Sequence, residues 1–266
     1  MLFRSRELAA GTLTGGSSRA GQGTAAASSP PARKPARVTS TEVPPRRAGH
    51  RKAEHQQAGR PGRGTGGTAP AEPVYYLDDG PLAIALTIDD GPSPIYTPQI
   101  LRILEKYRVK ASFSMVGQNV TYNPGIVRDV ADAGHVIINH TWDHANLALM
   151  SASRMRTEIA SATDAIHAAV GVSPRMFRAP YGAWSRATLE YCASEKLMPL
   201  DWSVDPRDWS RPGVREIVSN IMRNTQTGSI ILEHDGGGDR SETVAALQIV
   251  IPRLLDEGYH FRTPEH

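Results

Sequence analysis

The apolar run Leu82-Ala83-Ile84-Ala85-Leu86-Thr87-Ile88 ends abruptly at two aspartates, Asp89 and Asp90. It is too short for a buried helix and too continuous for a half-solvated strand, so it reads as a strand buried on both faces. The period then changes. Thr97 is expected to cap a helix with Pro98 in its first turn, and Ile100, Leu101, Leu104 and Tyr107 line one face. The same alternation recurs to the end of the chain. Strands are expected at residues 82–88, 111–116, 135–138, 175–178, 197–204, 228–233 and 259–262. Between them, Asn123-Pro124 opens a helix that stops at Gly134, and Ser151 opens one that runs to Val170. Further helices are expected at 186–196, 214–224 and 242–256. Seven strands alternating with helices mean a parallel α/β sheet, either doubly wound or closed into a barrel.

The chain has 266 residues and a net charge of +3, and that charge is unevenly spread. Residues 1–73 hold 12 Lys and Arg against 4 Asp and Glu, a net +8; the remainder holds 18 against 23, a net −5. The basic excess therefore belongs to the N-terminal segment, and no basic nucleic-acid-binding domain is implied. That segment is rich in Gly, Pro, Ala, Ser and Arg, and Phe3 is its sole aromatic residue. It cannot bury enough apolar surface to offset its ordering entropy, so we read 1–73 as a disordered tail and 74–266 as the folded domain. Its charge would suit contact with an anionic polymer. No apolar run is long enough to span a membrane. Arg4 and Arg6 are not followed by the apolar stretch of a secretion signal, so either the protein is not exported by that route or the natural start lies upstream. A single cysteine, Cys192, excludes an internal disulfide and reads as a small buried hydrophobe.

Polar clusters fall just past the strand ends: Asp89-Asp90, His140 to His144, Arg178 to Gly182, Asp205 to Trp209, and Glu233-His234-Asp235. In a parallel α/β fold these ends share one face, where active sites are built. His140 and His144, four apart, are expected on one face of a helical turn, where two imidazoles suit a divalent ion such as Zn²⁺. Adjacent aspartates at a strand end point in different directions, so one can bind metal while the other stays free. Two histidines and one carboxylate leave coordination positions open, as a catalytic site requires. Trp142 and Trp184 also fall on this rim, as candidates for stacking on a sugar, and Asp143 as a hydrogen-bond partner of a ligating imidazole. Asp205 reads as a turn residue and is left out of the site.

Together, Thr87-Ile88-Asp89-Asp90-Gly91-Pro92, His140 with His144, Arg178 with Pro180-Tyr181-Gly182, Asp205 with Asp208-Trp209, and Leu232 with His234 resemble the five ordered motifs of the polysaccharide deacetylases, the NodB-homology domain of carbohydrate esterase family 4. The resemblance spans residues 82–262. Ile88 departs from it, standing where the family usually has Phe. The resemblance implies a distorted (β/α)7 barrel of parallel strands. It implies Asp89 as general base; Asp90, His140 and His144 as ligands of one divalent ion (Zn²⁺, with Co²⁺ or Ni²⁺ as alternatives); and the Tyr181 N–H as oxyanion donor. Arg178 would orient Asp89. His234 would be the general acid, tuned by Asp208, and Trp209 and Leu232 would wall the acetyl pocket. The implied reaction is N-deacetylation of a glycan such as peptidoglycan or a chitin-type oligosaccharide, by a monomer outside the cell or on its wall. O-deacetylation of xylan, cleavage of a small amide and glycan binding without turnover are the alternatives.

Overall fold

The computed structural model describes residues 72–264, so nearly all of the stretch read as a tail lies outside the described residues. Seven strands form one parallel sheet: β1 (Ala83–Gly91), β2 (Ser112–Met115), β3 (Val136–Asn139), β4 (Met176–Phe177), β5 (Met198–Pro199), β6 (Ile230–His234) and β7 (His260–Phe261). Helices alternate with them: α1 (Thr97–Tyr107), α2 (Gly117–Tyr122), α3 (Pro124–Asp132), α4 (Ala152–Val170), α5 (Arg186–Glu195), α6 (Val214–Asn224) and α7 (Ser241–Asp256). The strand order is β5-β4-β3-β2-β1-β6, with β7 paired to the start of β1. This is the distorted barrel that the resemblance implied.

Three local expectations change. α2 went unseen in the sequence, because one and a half turns carry too few residues to show a period. The helix after β1 begins a residue early, with Tyr96 at its cap. The Thr97 hydroxyl instead donates to the Asp235 carboxylate and accepts from the Ser93 N–H. The strands expected at 175–178 and 197–204 shrink to two ladder residues each, because the chain bends away where it builds the site.

The two ends of the sheet are joined by irregular chain. Past β5, Val204 bridges Ile231 of β6. Val74 is wedged beside the end of β5: its N–H donates to Pro199 (2.9 Å) and its carbonyl accepts from Asp201 (2.8 Å). Leu77 N–H then reaches the Gly228 carbonyl just before β6 (2.7 Å). Val74 and Leu77 also pack against Ala85, Ile138, Met176, Leu200 and Ile230 inside the barrel.

Alternation along the strands sorts side chains into two layers. Ile84, Leu86 and Ile88 of β1 face outward into the larger core beneath the helices, so Ile88 belongs to packing and not to the site. Ala85, Thr87 and Asp89 take the other face. Cys192 is buried in a separate cluster with Phe177 and Leu197, and burial pushes its thiol up to about 12, which fits an inert core residue. Among the described residues no helix is long and apolar enough to cross a membrane.

A chain beginning at Glu72 is expected to fold as the full-length protein does. One beginning at Asp78 loses the Val74–Leu77 wedge and should be less stable by on the order of 3 kcal/mol, from two partly buried aliphatic side chains and three backbone hydrogen bonds. Urea titrations of the two truncations measure the difference.

Candidate functional site

Asp89 and Asp90 leave β1 through a break in the ladder. Asp89 pairs with Ser114 and Gly91 with Met115, so Asp90 is bulged out of register, with φ +74°. In a regular strand the two carboxylates would face opposite sides of the sheet, as the sequence suggested. The bulge cancels that alternation and brings both beside one imidazole. His140 Nε2 lies 3.8 Å from Asp89 Oδ2 and 3.5 Å from Asp90 Oδ1. Chain packing holds the bulge in place. Asn119 of α2 donates to the Asp90 carbonyl (2.9 Å), and a Cβ on Gly236 would overlap that same carbonyl.

His140 and His144 are not on a helical turn. The segment between them is irregular, with Thr141 and His144 at φ +65° and +64°. The rings nevertheless converge, with centroids 5.0 Å apart. His140 Nδ1 donates to the Arg178 carbonyl (2.9 Å), which places its proton there and leaves the Nε2 lone pair facing the aspartates. His144 Nδ1 pairs with the Tyr181 hydroxyl (3.2 Å), and its Nε2 lies 3.1 Å from Asp90 Oδ1.

Asp90, His140 and His144 thus present three ligand atoms within 4.8 Å of one another. Asp90 Oδ1 is buried and has no hydrogen-bond donor, although two imidazole nitrogens face it. Burial alone would raise the Asp90 carboxyl, but the adjacent imidazoles outweigh it and hold the group well below the ordinary carboxylate range. A carboxylate oxygen facing two imidazole nitrogens is a donor set that fits a divalent ion.

Around it lies a second group of side chains. Arg178 is fully buried, and its Nη1 donates to Asp89 Oδ1 (2.7 Å) and Thr87 Oγ1 (2.8 Å). His234 Nδ1 donates to Asp208 Oδ1 (2.7 Å), while Asp208 Oδ2 accepts from the His234 N–H (2.9 Å) and the Thr243 hydroxyl (2.7 Å). Burial would lower the His234 pKa, but the Asp208 hydrogen bond and charge reverse this and push it up to about 9. The same contacts outweigh burial at Asp208 and hold its carboxyl low. Tyr181 stands at φ +63° in the short turn after β4, and among the described residues its N–H has no acceptor.

Asp89, Asp90, His140, His144, Tyr181, Trp202, Asp205, Trp209, Leu232 and His234 line one cavity of about 380 Å³. Arg178 and Asp208 lie behind it, each against a lining residue. Two lining residues were not foreseen. Trp202 follows Asp201 at the end of β5, where an aromatic residue among polar neighbours was the available signal. Asp205 does act as a turn residue, its Oδ1 accepting from the Arg207 N–H (2.8 Å), yet it also faces the cavity. Three expectations fail. Trp142 packs over Gly117 and Ala162, away from the cavity. Trp184 donates to Asp201 (2.7 Å) behind it. Asp143 is exposed and is no partner of either imidazole, since the Arg178 carbonyl and the Tyr181 hydroxyl take that place.

A family model described as polysaccharide deacetylase matches residues 78–198. A peptidoglycan-N-acetylglucosamine deacetylase of Bacillus cereus is 41% identical over 198 residues, covering 72% of this chain and 92% of its own. A chitooligosaccharide deacetylase of Sinorhizobium fredii is 39% identical over 195 residues, covering 69% and 91%. The crystal structure of a peptidoglycan N-acetylglucosamine deacetylase in complex with an N-hydroxybenzamide compound superposes with a TM-score of 0.69 at 35% identity, over 71% of this chain and 89% of that one. With these likenesses running through the whole barrel, the chain belongs to the polysaccharide deacetylase family, carbohydrate esterase family 4.

Proposed function

We propose that the protein removes N-acetyl groups from a glycan polymer, peptidoglycan strands or chitin-type oligosaccharides, at the cavity above the barrel. The observation that carries this reading is the pairing, in one cavity, of the Asp90–His140–His144 donor set with a second carboxylate, Asp89, that Arg178 ties back (2.7 Å). The relatives named for N-acetylglucosamine and chitooligosaccharide deacetylation favour an amide over an ester as the bond cleaved.

Asp90, His140 and His144 would hold the ion. When bound, it supplies a Lewis acid that polarises the acetyl carbonyl and lowers the pKa of water to roughly 7. The other steps fall to this chain's own groups. Asp89 takes a proton from the attacking water, and Arg178 keeps the carboxylate aimed. As the water oxygen bonds to the acetyl carbon, negative charge collects on the carbonyl oxygen, and the Tyr181 N–H donates to it. The C–N bond then breaks with its electron pair on nitrogen, and His234 gives that nitrogen a proton. Acetate and a free amine leave. Asp208 keeps the imidazolium oriented, and Trp209 and Leu232 enclose the acetyl methyl. The proposal extends to the basic residues 1–73 as an electrostatic anchor on anionic wall polymer, and so to action outside the cell.

Acetate release should stop on chelation and return with Zn²⁺ or Co²⁺. A panel of chitooligosaccharide, peptidoglycan and acetylated xylan reports the substrate, and release from xylan alone would overturn the amide reading. Asp90→Asn should lose the metal. Asp89→Asn should keep it and fall in turnover by on the order of 10²-fold or more. Metal content by atomic absorption, together with kcat, separates the two roles.

The pH profile tests His234. The acid must be protonated to work, so activity should fall as pH rises through its pKa. Asp208 holds that pKa high, near 9. Asp208→Asn removes the charge, so the alkaline limb should move to lower pH. A profile with an unmoved limb would remove His234 or its partner from the mechanism.

A further inference from the structure

The two imidazoles of the donor set sit on a five-residue turn that belongs to no helix or strand, yet their nitrogens converge on Asp90. Something must fix that turn, since a left-handed backbone at Thr141 and His144 is disfavoured for residues with a Cβ. Its carbonyls are held from one side. Thr141 and Trp142 accept from the N–H groups of Gly117 and Gln118 at the start of α2, both at 2.9 Å. Its N–H groups are held from the other. Thr141 N–H donates to Asn139 Oδ1 (2.9 Å), and the next two, Trp142 and Asp143, both donate to one atom, Glu158 Oε2, at 3.2 Å each.

Glu158 projects from the second turn of α4 and is buried, with 7% of its surface exposed. A carboxylate is seldom buried unless partners satisfy it; these two amides donate to it, while burial and the adjacent Asp143 carboxyl raise its pKa. Successive N–H groups pointing the same way form a small concave site for an anion. In a helix they would bond to carbonyls four residues back, but in this turn they have no such carbonyl and Glu158 takes its place. Four residues along α4, Ala162 lies against Gly117, as does the ring of Trp142.

We propose that Glu158 is a positioning residue for the metal centre: by binding the amides of Trp142 and Asp143, the residues between the two histidines, its carboxylate sets the separation of the His140 and His144 Nε2 atoms. Glu158 touches neither ligand nor substrate. This rests on the reading of Asp90, His140 and His144 as the metal-holding set and assigns that set its support.

The test is Zn²⁺ affinity of the full-length chain, measured by competition with a chromophoric chelator. Glu158→Ala should weaken binding by about 10- to 100-fold, the usual effect of removing a group that orients a ligand. Glu158→Gln keeps an oxygen that accepts from both amides and should restore wild-type affinity. Ile166→Ala, buried on the same helix two turns farther on, should lower the melting temperature and leave affinity unchanged. Wild-type affinity in Glu158→Ala would overturn the proposal. So would a loss in Glu158→Gln equal to that in Glu158→Ala, or an equal loss in Ile166→Ala. Should Glu158→Ala fail to fold, Glu158→Asp replaces it: that variant draws the carboxylate back from the amides by one methylene, and unchanged affinity there would overturn the proposal equally. Wild-type protein that takes up no Zn²⁺ would refute the metal reading itself, whereas tight wild-type binding with an unaffected Glu158→Ala would refute the role of Glu158 alone.

Discussion

A guanidinium ion shut away from water occupies the middle of the barrel, and the geometry above it depends on how that charge is satisfied. Arg178 leaves β4 and donates to Asp89 and Thr87 of β1, to the Leu200 carbonyl and to the Asp201 carbonyl. Removing a charge from water costs several kcal/mol, and such a group persists only when paired and fully hydrogen-bonded. The partners come from β1 and from the chain just past β5, at distant places in the sheet order. Satisfying Arg178 therefore ties β1 to the chain past β5, at the other side of the sheet order. It also pairs the guanidinium with the Asp89 carboxylate, which is thereby held facing the cavity. The carbonyl of the same arginine accepts from His140 and sets that ring's tautomer. One residue thus fixes the orientation of both Asp89, the proposed base, and His140, one of the proposed ligands.

A second constraint is the bulge at Asp90. It brings a carboxylate that strand geometry would send outward into the same space as its neighbour. The cost is a left-handed residue with a Cβ, a conformation that persists only where surroundings over-determine it. Here Asn119 and the close approach of Gly236 do so. The histidine turn solves a similar problem with Asn139, Gly117, Gln118 and Glu158. The donor set is an arrangement of strained segments, each held by a rigid neighbour. That is how a site keeps open positions without collapsing onto its own charges.

The side proposed to supply the acid is built differently. Asp208 and His234 are buried together and joined by two hydrogen bonds, one to the ring and one to the backbone N–H. The backbone bond positions Asp208 whatever the protonation state of the ring. Proton loss from His234 would then change charge with little change in placement, which suits the acid role proposed for it.

Much of this was legible in the chain. Alternating apolar runs are local, and they gave the order of strands and helices because burial on a strand or a helix imposes a period that no distant contact alters. The polar residues of the site were legible for the same reason, since Asp89, Asp90, His140, His144, Arg178, Asp208 and His234 interrupt that period at strand ends. Tertiary structure decided what depends on residues far apart. Closure of the barrel rests on Val204 bridging Ile231 and on Val74 and Leu77, whose hydrogen-bond partners lie more than a hundred residues away. Trp202 enters the cavity while Trp142 and Trp184 turn from it, because Gly117 and Asp201 offer seats that no local pattern reveals. Left-handed φ values at Asp90, Thr141, His144 and Tyr181 were equally invisible, since none of these residues favours that conformation by itself and only long-range packing imposes it.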